Sequence, residues 1–242
     1  NKFFERGGKL LNLLKTEAEK FGLNLSERQL EQFEIYKDYL LEYNSHTNLT
    51  SIKEPDDVAI KHFLDSIIIC KFIKIRENAK VIDVGTGAGF PGVPLKILNP
   101  GVNLTLVDSL NKRVTFLKNL ASKIEISADI IHARAEELAH TENYREKYDF
   151  AVSRAVAPLN VLAEYCLGYV KTGGCLIALK GPEISEEVKA AGRAISILGG
   201  ALEAEFHCEL PLGKGKRSIV VIRKKFETPK KYPRKNSKIS SA

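Results

Sequence analysis

From Lys80 onward, short runs of Val, Ile and Leu recur at intervals that each leave room for a helix: VIDVG (81–85), NLTLVD (103–108), DIIHA (129–133), DFAVSR (149–154) and CLIALK (175–180). A strand that is apolar along its whole length is covered on both faces, and joining two such strands in parallel takes a crossover of about a dozen residues or more. The pattern predicts a doubly wound α/β sheet. Two later runs, LEAEFHCEL (202–210) and RSIVVIRK (217–224), are separated only by PLGKGK. That link is too short for a helical crossover, so these two pair as an antiparallel hairpin at the end of the sheet.

The chain before Lys80 has a different period. Ser26 with Gln29 three residues on is a capping box, each side chain satisfying a backbone donor of the other. Leu30, Phe33, Leu40 and Leu41 follow at helical spacing, and Glu54-Pro55-Asp56 marks another helix start, since proline there forfeits a donor that has no partner. With 242 residues the chain suits one large domain with appendages. The expected organisation is an N-terminal helical cap over residues 1–75, a sheet domain over 76–226 and a basic C-terminal tail over 227–242.

The net charge of +7 is unevenly spread. Between Lys214 and Lys238 there are eleven Lys or Arg against one acid, Glu227, an excess larger than that of the whole chain. A basic strip of this kind neutralises phosphates and gives affinity without sequence preference, although a solvated tail has the same composition. The longest apolar stretch, near Ile67 to Cys70, is far short of the roughly 20 residues that cross a bilayer. No export signal is visible in NKFFERGGKLLNLLK, and Cys70, Cys166, Cys175 and Cys208 form no cluster at metal-ligand spacing. The expectation is a cytoplasmic protein with buried thiols, no metal and no membrane partner. The sequence leaves the oligomeric state open, with a monomer slightly favoured.

The densest motif is VIDVGTGAGFPG, residues 81–92, with Asp83 followed by Gly85, Gly87, Gly89 and Gly92. A strand turning sharply into a helix beneath a ligand needs residues without a Cβ, and Pro91 suits the first turn of the helix that follows. Gly87, Gly89 and Gly92 satisfy GxGxxG, and Asp108 lies at the end of the next strand, where a carboxylate accepts from ribose hydroxyls. A nicotinamide-dinucleotide oxidoreductase is therefore one reading. The other is a methyl donor of the S-adenosylmethionine type, whose charge near the loop is positive. Asp83 favours this second reading, since a carboxylate beside a pyrophosphate is costly.

Further motifs give the chain a family likeness: NLTSI (48–52), KHFLDS (61–66), DVGTGAGFPGVPL (83–95), VDSLNKRVTFL (107–117), ARAEE (133–137), SRAVAPL (153–159), LKG (179–181) and TPKKYPRK (228–235). Together they resemble the RsmG (GidB) family of ribosomal RNA small subunit methyltransferases, and the resemblance spans nearly the whole chain. It implies a Rossmann-like class I methyltransferase sheet, S-adenosylmethionine as cofactor, and N7 of a guanosine in the decoding-region loop of 16S ribosomal RNA as acceptor, free or in the small subunit. In the glycine loop it implies cofactor contacts at Gly85, Gly87, Gly89 and Phe90. Asp108 would take the ribose, with Ser109 and Leu110 beside it, and Ala135 and Glu136 the adenine edge. Arg154, at a strand end, would hold the cofactor carboxylate or an RNA phosphate, unless it is a structural salt bridge.

Lys112, Arg113, Lys180, Lys216, Arg217, Lys230, Lys231 and Arg234 are the candidates for phosphate contacts. No general base is expected, since N7 of guanine carries a free lone pair, and none of the five histidines is assigned a catalytic role. A small-molecule methyltransferase and a non-enzymatic RNA-binding module remain as rivals. The basic tail argues against the first, and methyl transfer itself distinguishes the second.

Overall fold

The structure, a computed structural model, describes residues 12–47, 49–52 and 54–239. Much of the N-terminal segment read for a leader, and Asn48 of the NLTSI motif, lie outside them. Seven strands form one sheet: β1 (Lys80–Val84), β2 (Asn103–Asp108), β3 (Asp129–His132), β4 (Tyr148–Arg154), β5 (Val170–Lys180), β6 (Gly200–Glu209) and β7 (Lys216–Lys224). Their order is β3-β2-β1-β4-β5-β7-β6. The first five are parallel, while β7 runs antiparallel between β5 and β6. Every strand expected from the apolar runs is present, and the terminal hairpin is the β6–β7 pair.

The strand order reverses at β1: the chain steps outward to β2 and β3, then returns to β4 on the other side. Helices following β1 and β4 therefore leave the sheet in opposite senses, and a crevice opens at the carboxyl ends between them. The layers beside it are α4 (Gly92–Leu98) and α5 (Asn111–Lys123) on one face, and α7 (Leu159–Leu167) and α8 (Ser185–Ile197) on the other, with the short α6 (Ala135–Leu138) after β3.

N-terminal to the sheet lie helical residues 12–20 (α1), α2 (Glu27–Thr47) and a broken helical run over residues 55–72 (α3) opened by Pro55. The capping box forms as expected: Ser26 N–H donates to Gln29 Oε1 at 2.8 Å, and Gln29 N–H to Ser26 Oγ at 3.3 Å. The Gln29 amide also donates to the carbonyls of Ile97 and Leu98 at the end of α4, so the cap that starts α2 also finishes a sheet helix. The sequence pattern did not show that the middle of α3, Val58–Leu64, is a π-helix. Leu14, Phe33, Tyr36, Phe63 and Leu64 share one apolar core with Val81, Leu104, Phe116 and Leu120, so the helical cap and the sheet are packed as one body.

Beyond β7 the chain crosses the α7 face as a strap rather than hanging as a tail. Lys224, whose side chain is 0% exposed, donates to Glu146 Oε1 (3.0 Å), the Leu167 carbonyl (2.6 Å), the Val170 carbonyl (3.1 Å) and Thr228 Oγ1 (2.7 Å). Thr228 N–H returns to the same Glu146 oxygen at 2.7 Å. Further along, Arg145 donates to the carbonyls of Thr228 and Tyr232, and Arg234 pairs through two nitrogens with Glu164 on α7. Removing one partner of a buried charge pair leaves the other desolvated and alone. Lys224→Ala is therefore expected to lower unfolding stability by about 3–5 kcal/mol. Urea denaturation of the parent and variant chains measures this, and a loss below about 1 kcal/mol, the worth of an exposed pair, would show the ammonium to be dispensable.

Candidate active site

The crevice at the carboxyl edge holds a cavity of about 600 Å³, within the usual range for small-molecule sites. Its shape is set by the loop after β1. Asp83, fully buried, accepts from Thr86 Oγ1 and from the Gly92 N–H, each at 2.7 Å, and so draws the two ends of the loop together beneath its apex. Burial pushes this carboxyl up to about 7, against the pull of its hydrogen bonds and of Arg154 and with a further push from Asp108. Helix α4 begins at Gly92, whose N–H is turned to Asp83, so Pro91 is the N-cap residue and not the first-turn residue expected. Tyr36 reaches in from α2 and donates to the Ala88 carbonyl at 2.5 Å, fixing the far side of the loop to the helical cap.

Two glycines matter sterically. Gly85 has φ +71°, and a Cβ there would stand 2.9 Å from Val156 Cγ2, so its absence lets the chain after β4 close over the cavity. Gly89 has φ +104°, and its missing Cβ makes room for the Tyr36 hydroxyl. After β4, Ala155 adopts a left-handed φ of +54°, which turns Val156, Ala157 and Pro158 across the opening.

Five backbone donors of the loop are already engaged. Gly85 and Thr86 donate to the Val107 carbonyl, Gly89 and Phe90 to the Thr86 carbonyl, and Gly87 to Asp108 Oδ2 at 2.9 Å. A pyrophosphate needs such donors unspent. This replaces the charge argument made from sequence: Asp83 lies under the loop and faces no ligand, and it is the engaged N–H groups that speak against a dinucleotide.

Asp108 lines the cavity with its carboxylate largely occupied. Oδ1 accepts from Leu110 N–H at 2.9 Å, and Oδ2 from Gly87 N–H and from Arg113 Nη1 at 3.2 Å. A carboxylate offers about four lone-pair positions. Three are used, leaving room for one hydroxyl on the cavity side. Glu136, also buried, stands at the same wall with Ala135, and Arg134 approaches its carboxylate to 3.8 Å.

Of the ten residues expected at the cofactor, Gly85, Asp108, Ser109, Ala135 and Glu136 line the cavity. Gly87, Gly89, Phe90, Leu110 and Arg154 do not. Phe90 is turned toward the helical cap, stacked between Tyr36 and His62 with centroids 5.3 and 4.4 Å away. Arg154 is the structural salt bridge: it donates to Asp65 Oδ2, the Lys61 carbonyl and His62 Nδ1, each at 3.0 Å, and covers the Phe90 ring. Since Arg154 donates to Nδ1, the His62 hydrogen sits on Nε2 and is given to Thr50 Oγ1. Burial and the Arg154 charge hold His62 down to about 3, so it is neutral. Arg217 completes the cluster on Asp65 Oδ1 at 2.8 Å.

The basic candidates divide the same way. Lys112, Lys216, Lys230 and Lys231 are exposed and have no ion-pair partner among the described residues. Arg113, Lys180, Arg217 and Arg234 are paired with Asp108, Glu187, Asp65 and Glu164. Lys180, 10% exposed, also donates to the Ala157 carbonyl, so it braces the loop after β4 and is not presented to RNA. Sequence reasoning missed Pro158, Asn160, Val161 and Tyr165 on the cavity wall, although SRAVAPL ends a strand at the right edge and Val161 and Tyr165 share a helical face. It also missed Asn236, for which the sequence carried no signal.

Comparison with known proteins gives a consistent result. Residues 29–219 match the family model GidB, described as rRNA small subunit methyltransferase G. The chain is 49% identical to the ribosomal RNA small subunit methyltransferase G of Alkaliphilus oremlandii over 96% of its length and 97% of that protein, and 48% identical to that of Acetivibrio thermocellus over 98% and 97%. Among solved structures, a ribosomal protein L11 methylase from Lactobacillus delbrueckii subsp. bulgaricus superposes with TM-score 0.53 at 16% identity, covering 69% of this chain and 80% of that one. A SAM dependent methyltransferase from Aquifex aeolicus does so with TM-score 0.52 at 18% identity, covering 72% and 96%. These two share the fold.

Two variants test the loop. Gly85→Ala forces a Cβ against Val156 at positive φ, a strain of about 1–2 kcal/mol, and should lower the melting temperature. An unchanged melting temperature would mean that the β4 loop gives way freely. For Asp83 the sign is that of a raised carboxyl: between about pH 4 and 7 the native state keeps a proton that the unfolded chain has released, so stability falls as pH rises through that window. Asp83→Asn keeps the acceptor and cannot ionise. The parent should lose melting temperature relative to this variant between pH 5 and pH 8, and a constant difference would place the ionisation elsewhere.

Proposed function

This chain belongs to the rRNA small subunit methyltransferase G family, and from that premise we propose that it transfers a methyl group from S-adenosylmethionine to N7 of a guanosine in the decoding-region loop of 16S ribosomal RNA. The observation that carries the reading at the level of the site is the cavity itself. It has an acceptor-lined wall, Asp108 and Glu136, and a loop most of whose N–H groups are spent. Such a site suits a donor rich in hydroxyl and amino hydrogens and without phosphate. The donor, once bound, supplies a methyl group on a cationic sulfur.

What the chain's own residues do is hold and exclude. Asp108 accepts from one ribose hydroxyl, and Glu136 from the adenine amino group. Val156, Ala157 and Pro158 close the cavity on the side of β4 and keep water from it. No histidine or cysteine lines the cavity among the described residues. That fits an acceptor nitrogen with a free lone pair: rate comes from alignment, and a general base adds nothing. Because N7 is hidden in the deep major groove of A-form RNA, the guanosine reaches the site unpaired or extruded.

Residues 76–226, joined by Asn236, carry the donor site, α2 fastens its glycine loop through Tyr36, and the exposed Lys112, Lys216, Lys230 and Lys231 position the RNA backbone. The protein acts as a monomer in the cytoplasm on 16S ribosomal RNA or the small subunit. Among the described residues no helix is long and apolar enough to cross a membrane.

Digestion and mass spectrometry of ribosomal RNA from cells with and without the protein tests the acceptor. One 7-methylguanosine should disappear from 16S RNA and return with the parent chain, and an unaltered set of modifications would overturn the proposal. Binding to the RNA should weaken with salt, and replacing any one of the four exposed lysines by Ala should reduce the log–log slope by about one. Slopes equal to the parent's would remove those lysines from the RNA surface.

A further inference from the structure

The cavity has a wall that neither the glycine loop nor the strand ends supply. Strand β7 is antiparallel, so Lys224 lies at the amino edge of β5, opposite the cavity. Twelve residues later Asn236 lines the cavity at the carboxyl edge. The strap between them crosses the outer face of α7, fastened at one end by Lys224, Glu146 and Thr228 and at the other by Arg234 on Glu164. Its backbone is gripped as well: Arg234 N–H donates to Glu164 Oε1 at 2.7 Å, and His140 Nε2 lies 2.7 Å from the Pro233 carbonyl. The next residue of α7 is Tyr165, which lines the cavity and whose phenol donates to Asn236 Oδ1. Burial raises the Tyr165 phenol, and the carboxylates of Glu136 and Glu164 add to the rise, so this hydroxyl keeps its proton as the donor to Asn236.

We propose that Asn236, oriented by Tyr165, is a positioning residue for the donor's adenosyl end, and that the C-terminal strap thereby couples the donor site to RNA. The assignment rests on Glu136 marking that end of the cavity, as the function proposed above has it. Coupling follows from continuity. Lys230 and Lys231, exposed on the strap between its two fastenings, meet RNA, while Asn236 at its far end meets the donor. Whatever holds the strap in place for one ligand does so for the other, and the effect is reciprocal.

The experiment uses the full chain with S-adenosylhomocysteine as the calorimetric probe and S-adenosylmethionine with small subunits for kinetics. Asn236→Ala should weaken the probe about three- to tenfold, the range for one lost hydrogen bond. Tyr165→Phe, which keeps the ring and removes its bond to Asn236, should weaken it less but in the same direction. In steady state both variants should raise KM for the donor and leave kcat in place, since a residue that only binds acts on KM, whereas a damaged fold would lower kcat. Added 16S RNA should tighten the probe in the parent severalfold and do so less in Asn236→Ala.

Should Asn236→Ala be too unstable to assay, Tyr165→Phe decides alone. Affinities within twofold of the parent in the variants tested would overturn the inference, and so would a fall confined to kcat. A parent chain that fails to bind the probe at all would overturn the donor assignment itself, which is a different result.

Discussion

A single buried carboxyl organises the site. Asp83 takes Thr86 and Gly92 onto one oxygen, and with those two bonds the glycine loop has its span fixed before any ligand arrives. Everything at the crevice is placed relative to that span: the Gly85 and Thr86 amides on the Val107 carbonyl, the Gly87 amide on Asp108, and Tyr36 on Ala88. The other Asp83 oxygen has no partner among the described residues, and burial raises the carboxyl, so the loop is held at a cost in desolvation that the surrounding packing offsets. Donor positions are thereby preorganised, which suits a reaction whose rate depends on alignment.

The helical cap acts through the same loop from outside. Tyr36, Phe90 and His62 form a stack, Arg154 lies against it, and Asp65 binds both Arg154 and Arg217 while its side chain is only 3% exposed. Removing either arginine would leave Asp65 a poorly compensated buried charge, so the cluster favours one mutual position of helix run α3, strand end β4 and strand β7. The KHFLDS and SRAVAPL segments, remote in sequence, meet here. Their joint effect is mechanical: the residues that look catalytic by charge hold the glycine loop against the cap.

The sheet was legible because its signal is local. Val, Ile and Leu runs of fixed length can be read one at a time, and the short PLGKGK link leaves an antiparallel return as its only outcome. The Ser26–Gln29 cap was legible for the same reason, its two bonds spanning three residues. The π-helix over Val58–Leu64 was not, since its apolar pattern fits an α-helix equally well. Nor were the fates of the basic residues. Arg217 finds Asp65 across 152 positions and Arg234 finds Glu164 across 70, and composition counts such charges without saying which are neutralised at home. Asp108 lines the cavity, yet its three internal donors could not be foreseen, because two of them are backbone amides whose direction depends on the finished loop.

The position of β7 has a consequence for how the chain is made. Because β7 lies between β5 and β6, the penultimate strand has no neighbour in the sheet when it leaves the ribosome. Until the last strand follows, β5 presents an unpaired edge lined by Leu176, Ile177 and Ala178, a template for any other nascent strand nearby. The interval is short, since only six residues separate β6 from β7. A chain cut short before Lys216 would instead keep β6 without a sheet partner and leave this adhesive border of β5 open, so the integrity of the sheet falls on the residues of β7.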